Sequence, residues 1–221
     1  MGQLFFILLF SVSLFANEKP NFSDAMSSYS RGDYDTAFKQ LLELAYAGHS
    51  ASMNNIGMMY EHGEGVAKNY ERAFDWYYKA SEKGHAIAKY NLAYLYDRGL
   101  GALRSTANAR KLYGESANLG YVKALFAMGV FYQKGDGVPM DAKIASEYYK
   151  RAYNKGEVMA AFNLGLIYDR GQNGVKRDSK VAAYWYEKAA NHNIAEAQYN
   201  LGNLYERGDG VTQDKEKAFD Y

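Results

Sequence analysis

Asparagine recurs at Asn55, Asn91, Asn163 and Asn200, with Ala127 holding the one missing place in the series. Seven residues after each of these sites stands a cation: His62, Arg98, Lys134, Arg170 and Arg207. Three residues after each site lie Met58, Tyr94, Val130, Leu166 and Asn203. Offsets of three and seven put all three rows on one helix face. An amide bonds a peptide backbone in both directions, and a cation meets acidic side chains or a terminal carboxylate. Amide, mixed apolar and cationic rows side by side therefore suit the grip of an extended peptide. The same residues also admit a structural role, the asparagines bonding neighbouring helices and the basic row capping helix C-termini directly before a glycine.

Catalytic chemistry has less to work with. The four histidines, His49, His62, His85 and His192, form no HxH or HExxH pattern, and His49 and His85 both follow a helix-ending glycine. They read as capping or surface residues. Cysteine is absent, which excludes a thiol nucleophile, a thiolate metal site and disulfides. The glycine pairs in Gly63-Glu-Gly65-Val66, Gly135-Asp-Gly137-Val138 and Gly208-Asp-Gly210-Val211 lack the lysine and preceding strand of a phosphate cradle, so they read as turns. No catalytic residue, metal site or cofactor is assigned.

The elements that must position these rows follow from a repeat. Tyr60, Tyr96, Tyr132, Tyr168 and Tyr205 are spaced 36, 36, 36 and 37 residues apart, and Gly63, Gly99, Gly135, Gly171 and Gly208 follow them in step. The extra residue falls between Gly171 and Gly174, in a loop, where added length costs little. Ala88, Leu92, Ala93 and Tyr96 make one helix face; Ala109, Leu112, Tyr113, Ser116 and Ala117 make a second, ended by Gly120. Each unit is thus two helices, too small for a core of its own and stacked on its neighbours. Gly57, Gly129, Gly165 and Gly202, with Ala93 in the series, are expected where two helices approach closely.

Leu4 to Phe15 form an uncharged apolar run ending at Ala16. Its length is that of a secretory signal, too short to span a bilayer, and cleavage is expected after Ala16; an uncleaved anchor or a buried helix is the alternative. The formal net charge of +1, with cations dispersed among acids, gives no nucleic-acid-binding patch. No stable membrane span is expected after signal cleavage.

The pattern in Ala160 to Gly174, followed by Ala182, Trp185, Tyr186, Lys188, Ala189 and Ala190, resembles the Sel1-like repeat of the tetratricopeptide superfamily. Departures are Ala93 for the first glycine, Leu112 and Tyr148 for tryptophan, and Asn193 for the closing glycine. The resemblance implies an all-α fold, a right-handed α–α superhelix of antiparallel helix pairs, whose first helices line a concave face. Its divisions are a signal peptide over 1–16, an N-terminal capping pair over 17–50, and five repeats over 51–221, at about 51–86, 87–122, 123–158, 159–195 and 196–221, the last incomplete. It further implies a scaffold binding a protein or peptide partner, and, with the signal, a periplasmic or secreted location. Cysteine-rich relatives are associated with β-lactam binding and hydrolysis, but no Ser-x-x-Lys nucleophile motif occurs in this chain. A structural role is the competing class, with aromatic second helices packing on another surface; of these residues only Tyr78 and Tyr184 fall off the core face.

Overall fold

The computed structural model describes residues 21–221, and the segment assigned to a signal peptide lies outside them. All regular structure among these residues is helical. The pairs are α1 (Phe22–Ser30) with α2 (Tyr34–Tyr46), α3 (Ser50–His62) with α4 (Tyr70–Glu82), α5 (Ala86–Arg98) with α6 (Thr106–Asn118), α7 (Val122–Lys134) with α8 (Ala142–Tyr153), α9 (Met159–Arg170) with α10 (Ser179–Ala190), and α11 (Ala195–Arg207) with the short α12 (Lys215–Asp220). Each helix packs chiefly on its sequence neighbours, so the stack is an α-solenoid.

The loop joining the two helices of a unit closes on itself. Asn69, Ser105, Asp141, Asp178 and Asp214 cap the second helices, each side chain accepting from a backbone N–H two or three residues on. The amides of these same residues donate to the carbonyls of Tyr60, Tyr96, Tyr132, Tyr168 and Tyr205, at 2.8 to 3.0 Å. The recurring tyrosine is therefore where the loop is tied back to the first helix. The inserted residue near Asn173 is taken up without losing that bond, since Asp178 still reaches Tyr168. This capping row has the same period as the tyrosines and is a second repeat signal in the sequence.

In three of the loops the second glycine, Gly65, Gly101 or Gly210, rests against the backbone of the preceding unit. Gly65 and Gly101 have φ of +67° and +70°. A Cβ at Gly65 would lie 2.8 Å from the Tyr34 backbone, and one at Gly101 would enter the Tyr70 carbonyl. Tyr34 and Tyr70 begin the second helix of the preceding unit, so the loop rests backbone to backbone on its neighbour. Second helices end in a left-handed residue, Gly48, Gly84, Gly120 and Gly156, and then Asn193 at φ 61°. Asparagine adopts this conformation more readily than most residues.

The mid-helix glycines do mark a close approach, to a backbone at Gly202, where a Cβ would lie 3.1 Å from the Ala218 carbonyl oxygen, and to a ring at the other three. A Cβ at Gly57 would lie 2.6 Å from the Tyr77 ring, one at Gly129 2.5 Å from that of Tyr149, and Gly165 faces Tyr186 in the same way. These three tyrosines are fully buried. Their hydroxyls donate to Glu61 Oε2 at 2.6 Å, Gln133 Oε1 at 2.7 Å and Asp169 Oδ2 at 3.4 Å. Glycine thus lets a large ring cross the pair and still satisfy its polar end. The aromatic second helices follow the expected division: Trp76 is buried, whereas Tyr78 and Tyr184 are about half exposed.

Candidate binding groove

The first helices α3, α5, α7, α9 and α11 stand in a row, with α9 directly touching α11, and their common face carries the three rows found in the sequence. His62, Arg98, Lys134, Arg170 and Arg207 sit in the last turn of their helices, and all are exposed. Each precedes a left-handed glycine cap, a position at which the helix dipole favours a cation. Among the described residues none of the five is in an ion pair. Arg98 instead lies over the Tyr94 ring, 5.7 Å from its centroid.

Of the four carboxylates one residue earlier, Glu61, Asp97 and Asp169 are committed elsewhere, while Glu206 before Arg207 is exposed and has no side-chain partner among the described residues. Glu61 and Asp169 accept tyrosine hydroxyls, while Asp97 faces Arg104 at 4.0 Å and Asp169 faces Arg177 at 3.8 Å. The acids beside His62, Arg98 and Arg170 therefore already have partners. Burial, followed by the hydrogen bond and charge of Glu61, pushes the Tyr77 phenol well up, so it stays a neutral donor. Burial and the charge of Asp169 do the same at Tyr186, opposed by Arg170 and by Asn200 beside the hydroxyl.

The asparagines are half-buried and do not form one uniform row. Asn55 donates to Met26 Sδ of α1 at 3.2 Å. Asn91 donates to Asn54 Oδ1 of the neighbouring first helix at 3.0 Å. Asn200 lies beside Tyr186. At Asn55 and Asn91 the amide bonds link neighbouring helices.

Two cavities open along this face. One of about 280 Å³, between α3 and α5 and reaching α7, brings His62, Asn91 and Tyr94 together with Met58, Tyr90 and Tyr121. The other, of about 490 Å³, lies between α9 and α11 and joins Arg170 and Asn200 with Phe162, Leu166 and Tyr199. Asn55, Asn163, Arg98, Lys134 and Arg207 line neither. The residues that sequence reasoning passed over are Tyr90, Phe126, Phe162 and Tyr199, spaced 36, 36 and 37 residues apart, one position before the asparagine sites. Their periodicity was available as a signal, but their type resembles core, and Tyr199 is in fact 70% exposed.

The histidines are structural where their contacts are visible. His49 and His85 cap α3 and α5, with Nδ1 accepting the amides of Ser52 at 3.3 Å and Ala88 at 3.2 Å. Burial, then the charge of His49, lowers the pKa of His85, which keeps that nitrogen free to accept. Among the described residues no group of three or more His, Cys, Asp or Glu is placed to hold a metal ion. No helix among them is long and apolar enough to cross a membrane.

Comparison with known proteins agrees with this architecture. A search of the curated proteins returned no match. Among solved structures, a Sel1 repeat protein from Oxalobacter formigenes is 34% identical, with a TM-score of 0.81 over 90% of this chain and 80% of that one. A protective antigen of uropathogenic Escherichia coli strains, described as displaying an SLR fold, is 32% identical with a TM-score of 0.85. The alignment covers 91% of this chain but 44% of the antigen, so the chain spans less than half of that protein's length. An immunity protein from Pseudomonas aeruginosa, 18% identical with a TM-score of 0.51 over 92% of this chain and 84% of that one, shares the fold alone. The Sel1 repeat itself matches residues 50–85, 86–121, 122–157, 158–194 and 195–221. With helix pairs, loop ties and glycine caps all in that register, the chain belongs to the Sel1 repeat family.

Proposed function

We propose that this protein is an exported scaffold whose row of first helices grips an extended segment of a partner protein. The observation that carries the reading is the exposed cationic row, Arg98, Lys134, Arg170 and Arg207 with His62, which has no ion-pair partner among the described residues while Asp97 and Asp169 beside it are already engaged. Arg98, Lys134, Arg170 and Arg207, four like-charged groups repeated along one face, set up a positive strip that attracts acidic chain segments. Export is supported by the apolar run over residues 4–15 and the small Ala16 that ends it. The mature chain then works in the periplasm or outside the cell.

Site-specific photo-crosslinking tests the groove. A crosslinking residue at Val130, on the inner face, is compared with one at Tyr184, half exposed on a second helix. Capture of a protein from Val130 and none from Tyr184 is the expected outcome. Capture from Tyr184 alone would place the interface on the aromatic second helices instead. Mass measurement of the exported chain tests the cut after Ala16.

A further inference from the structure

We propose, resting on the groove reading above, that the partner segment is acidic and is held at two points, with one large apolar side chain in each of the two cavities and about nine residues between them. Both cavities are mainly apolar with a cationic edge. The first has Met58, Ile87, Tyr90 and Tyr121 as its walls and His62 and Lys123 at its edge, with Glu61 there accepting the Tyr77 hydroxyl. The second has Phe162, Leu166 and Tyr199, with Arg170 at its edge. A buried aromatic or leucine side chain supplies most of the affinity of such a contact.

The unit between them is built differently. At the positions where its neighbours carry asparagine and a larger apolar residue it has Ala127 and Val130, while Lys134 keeps the cation exposed. That stretch offers charge rather than an anchoring recess, so the acidic residues belong between the anchors. Glu196 at the second cavity disfavours an acid immediately beside the second anchor, which places the negative stretch nearer the middle.

The spacing follows from the stack. The first cavity lies between the first and second of the five first helices, and the second between the fourth and fifth, which is three units apart. Helices in contact stand about 10 Å apart, giving roughly 30 Å. An extended chain covers about 3.3 Å per residue, hence about nine residues.

Ring geometry favours a protein segment over a sugar. Tyr90 and Tyr121 pack edge to face on each other, with centroids 5.2 Å apart and planes at 71°. Tyr94 is covered by Arg98. A glycan stacks on open ring faces, whereas a face of Tyr94 is taken by Arg98 and one face within the Tyr90–Tyr121 pair is taken by the other ring.

The test uses the full chain and fluorescein-labelled peptides with two phenylalanines separated by three, six, nine or twelve residues of alternating aspartate and serine, read by anisotropy. The nine-residue spacer is expected to bind about tenfold or more tighter than the three-residue one, because only it engages both cavities. Ile87→Ser and Tyr199→Ser, at positions 39% and 70% exposed and therefore tolerant of change, should each remove most of that advantage. Replacing aspartate by lysine should abolish binding. Affinity indifferent to spacing, equal binding of the lysine series, no binding up to about 1 mM, or displacement of the peptide by cell-wall glycan fragments would each overturn the inference. Any of these, with crosslinks still arising from Val130, removes the two-anchor arrangement and leaves the groove. Crosslinks arising from Tyr184 alone remove the groove itself.

Discussion

The second and third Sel1 units, 86–121 and 122–157, differ at one methyl group near their centres, and the difference reaches the face that carries the cationic row. In the third, Gly129 leaves room for the Tyr149 ring, whose hydroxyl is held by Gln133 at 2.7 Å. In the second, alanine stands at 93, and the Tyr113 hydroxyl has no hydrogen-bond partner among the described residues; Asp97, at the acceptor position, faces Arg104 instead. Tyr113 is held by rings, with Tyr90 at 5.2 Å and Phe131 at 5.7 Å between centroids. Tyr90 in turn walls the first cavity of the groove. Copies of one repeat therefore acquire distinct surfaces through their inner contacts as well as through their exposed residues.

The largest effect that sharpens this comparison lies in the loops. Gly101→Ala in the second unit places a left-handed alanine whose Cβ enters the Tyr70 backbone; a loss of about 3 kcal/mol is expected from conformation and overpacking together. Gly137→Ala in the third meets only Thr106 Cγ2 at 3.0 Å and should cost about 1–2 kcal/mol, chiefly for the left-handed conformation. Urea unfolding midpoints measure both. Next, Gly129→Ala makes the third unit resemble the second. The new methyl displaces Tyr149 from Gln133, for a loss of about 2 kcal/mol. If that variant kept its stability, the glycine would have no packing role.

Removing the hydroxyls separates the units further. Tyr149→Phe should cost about 1 kcal/mol, the usual worth of a partly buried hydrogen bond, whereas Tyr113→Phe should be near neutral. Equal losses would erase the distinction between the two rings. The smallest effect is on pH dependence. His85 opens the second unit as an N-cap, with its pKa lowered from 6.5 by burial and by His49. The unfolded chain takes up the proton first as pH falls, so this contribution is complete above about pH 6.5 and is lost as pH drops through the lower folded value. Tyr121, which opens the third unit, makes no side-chain cap bond. Thermal melts between pH 7.5 and 5 should show His85→Asn with a flatter profile than the parent chain, since asparagine caps without titrating. An unchanged slope would remove His85 as its source.

Much of the fold was legible because a solenoid writes each structural demand several times over. The tyrosine and glycine spacing located the units, and Asn193 was recognisable as the replacement for a closing glycine, a position it does occupy with a left-handed backbone. What was not legible needed the third dimension. Nothing in the glycine row says that its neighbour is Tyr77 rather than a backbone, because the two are brought together only by the pairing of α3 with α4. Likewise Gly101 looks like an ordinary turn residue until Tyr70 of the preceding unit is seen beneath it. The exposure of the basic row followed from spacing alone, since last-turn positions before a capping glycine face solvent. The asparagines were harder, as identical residues at identical offsets serve Met26 in one unit and Asn54 in the next.

The groove is tested most directly by neutralising its charge. The chain and its variant with Arg98→Gln, Lys134→Gln, Arg170→Gln and Arg207→Gln, both carrying a C-terminal affinity tag and shown to have the same helical content, are used to capture proteins from cell-envelope extract. A partner that binds the parent chain, is released by raised salt and is lost from the variant is the expected result. The same partner retained at the same level by the variant would contradict recognition through the cationic row.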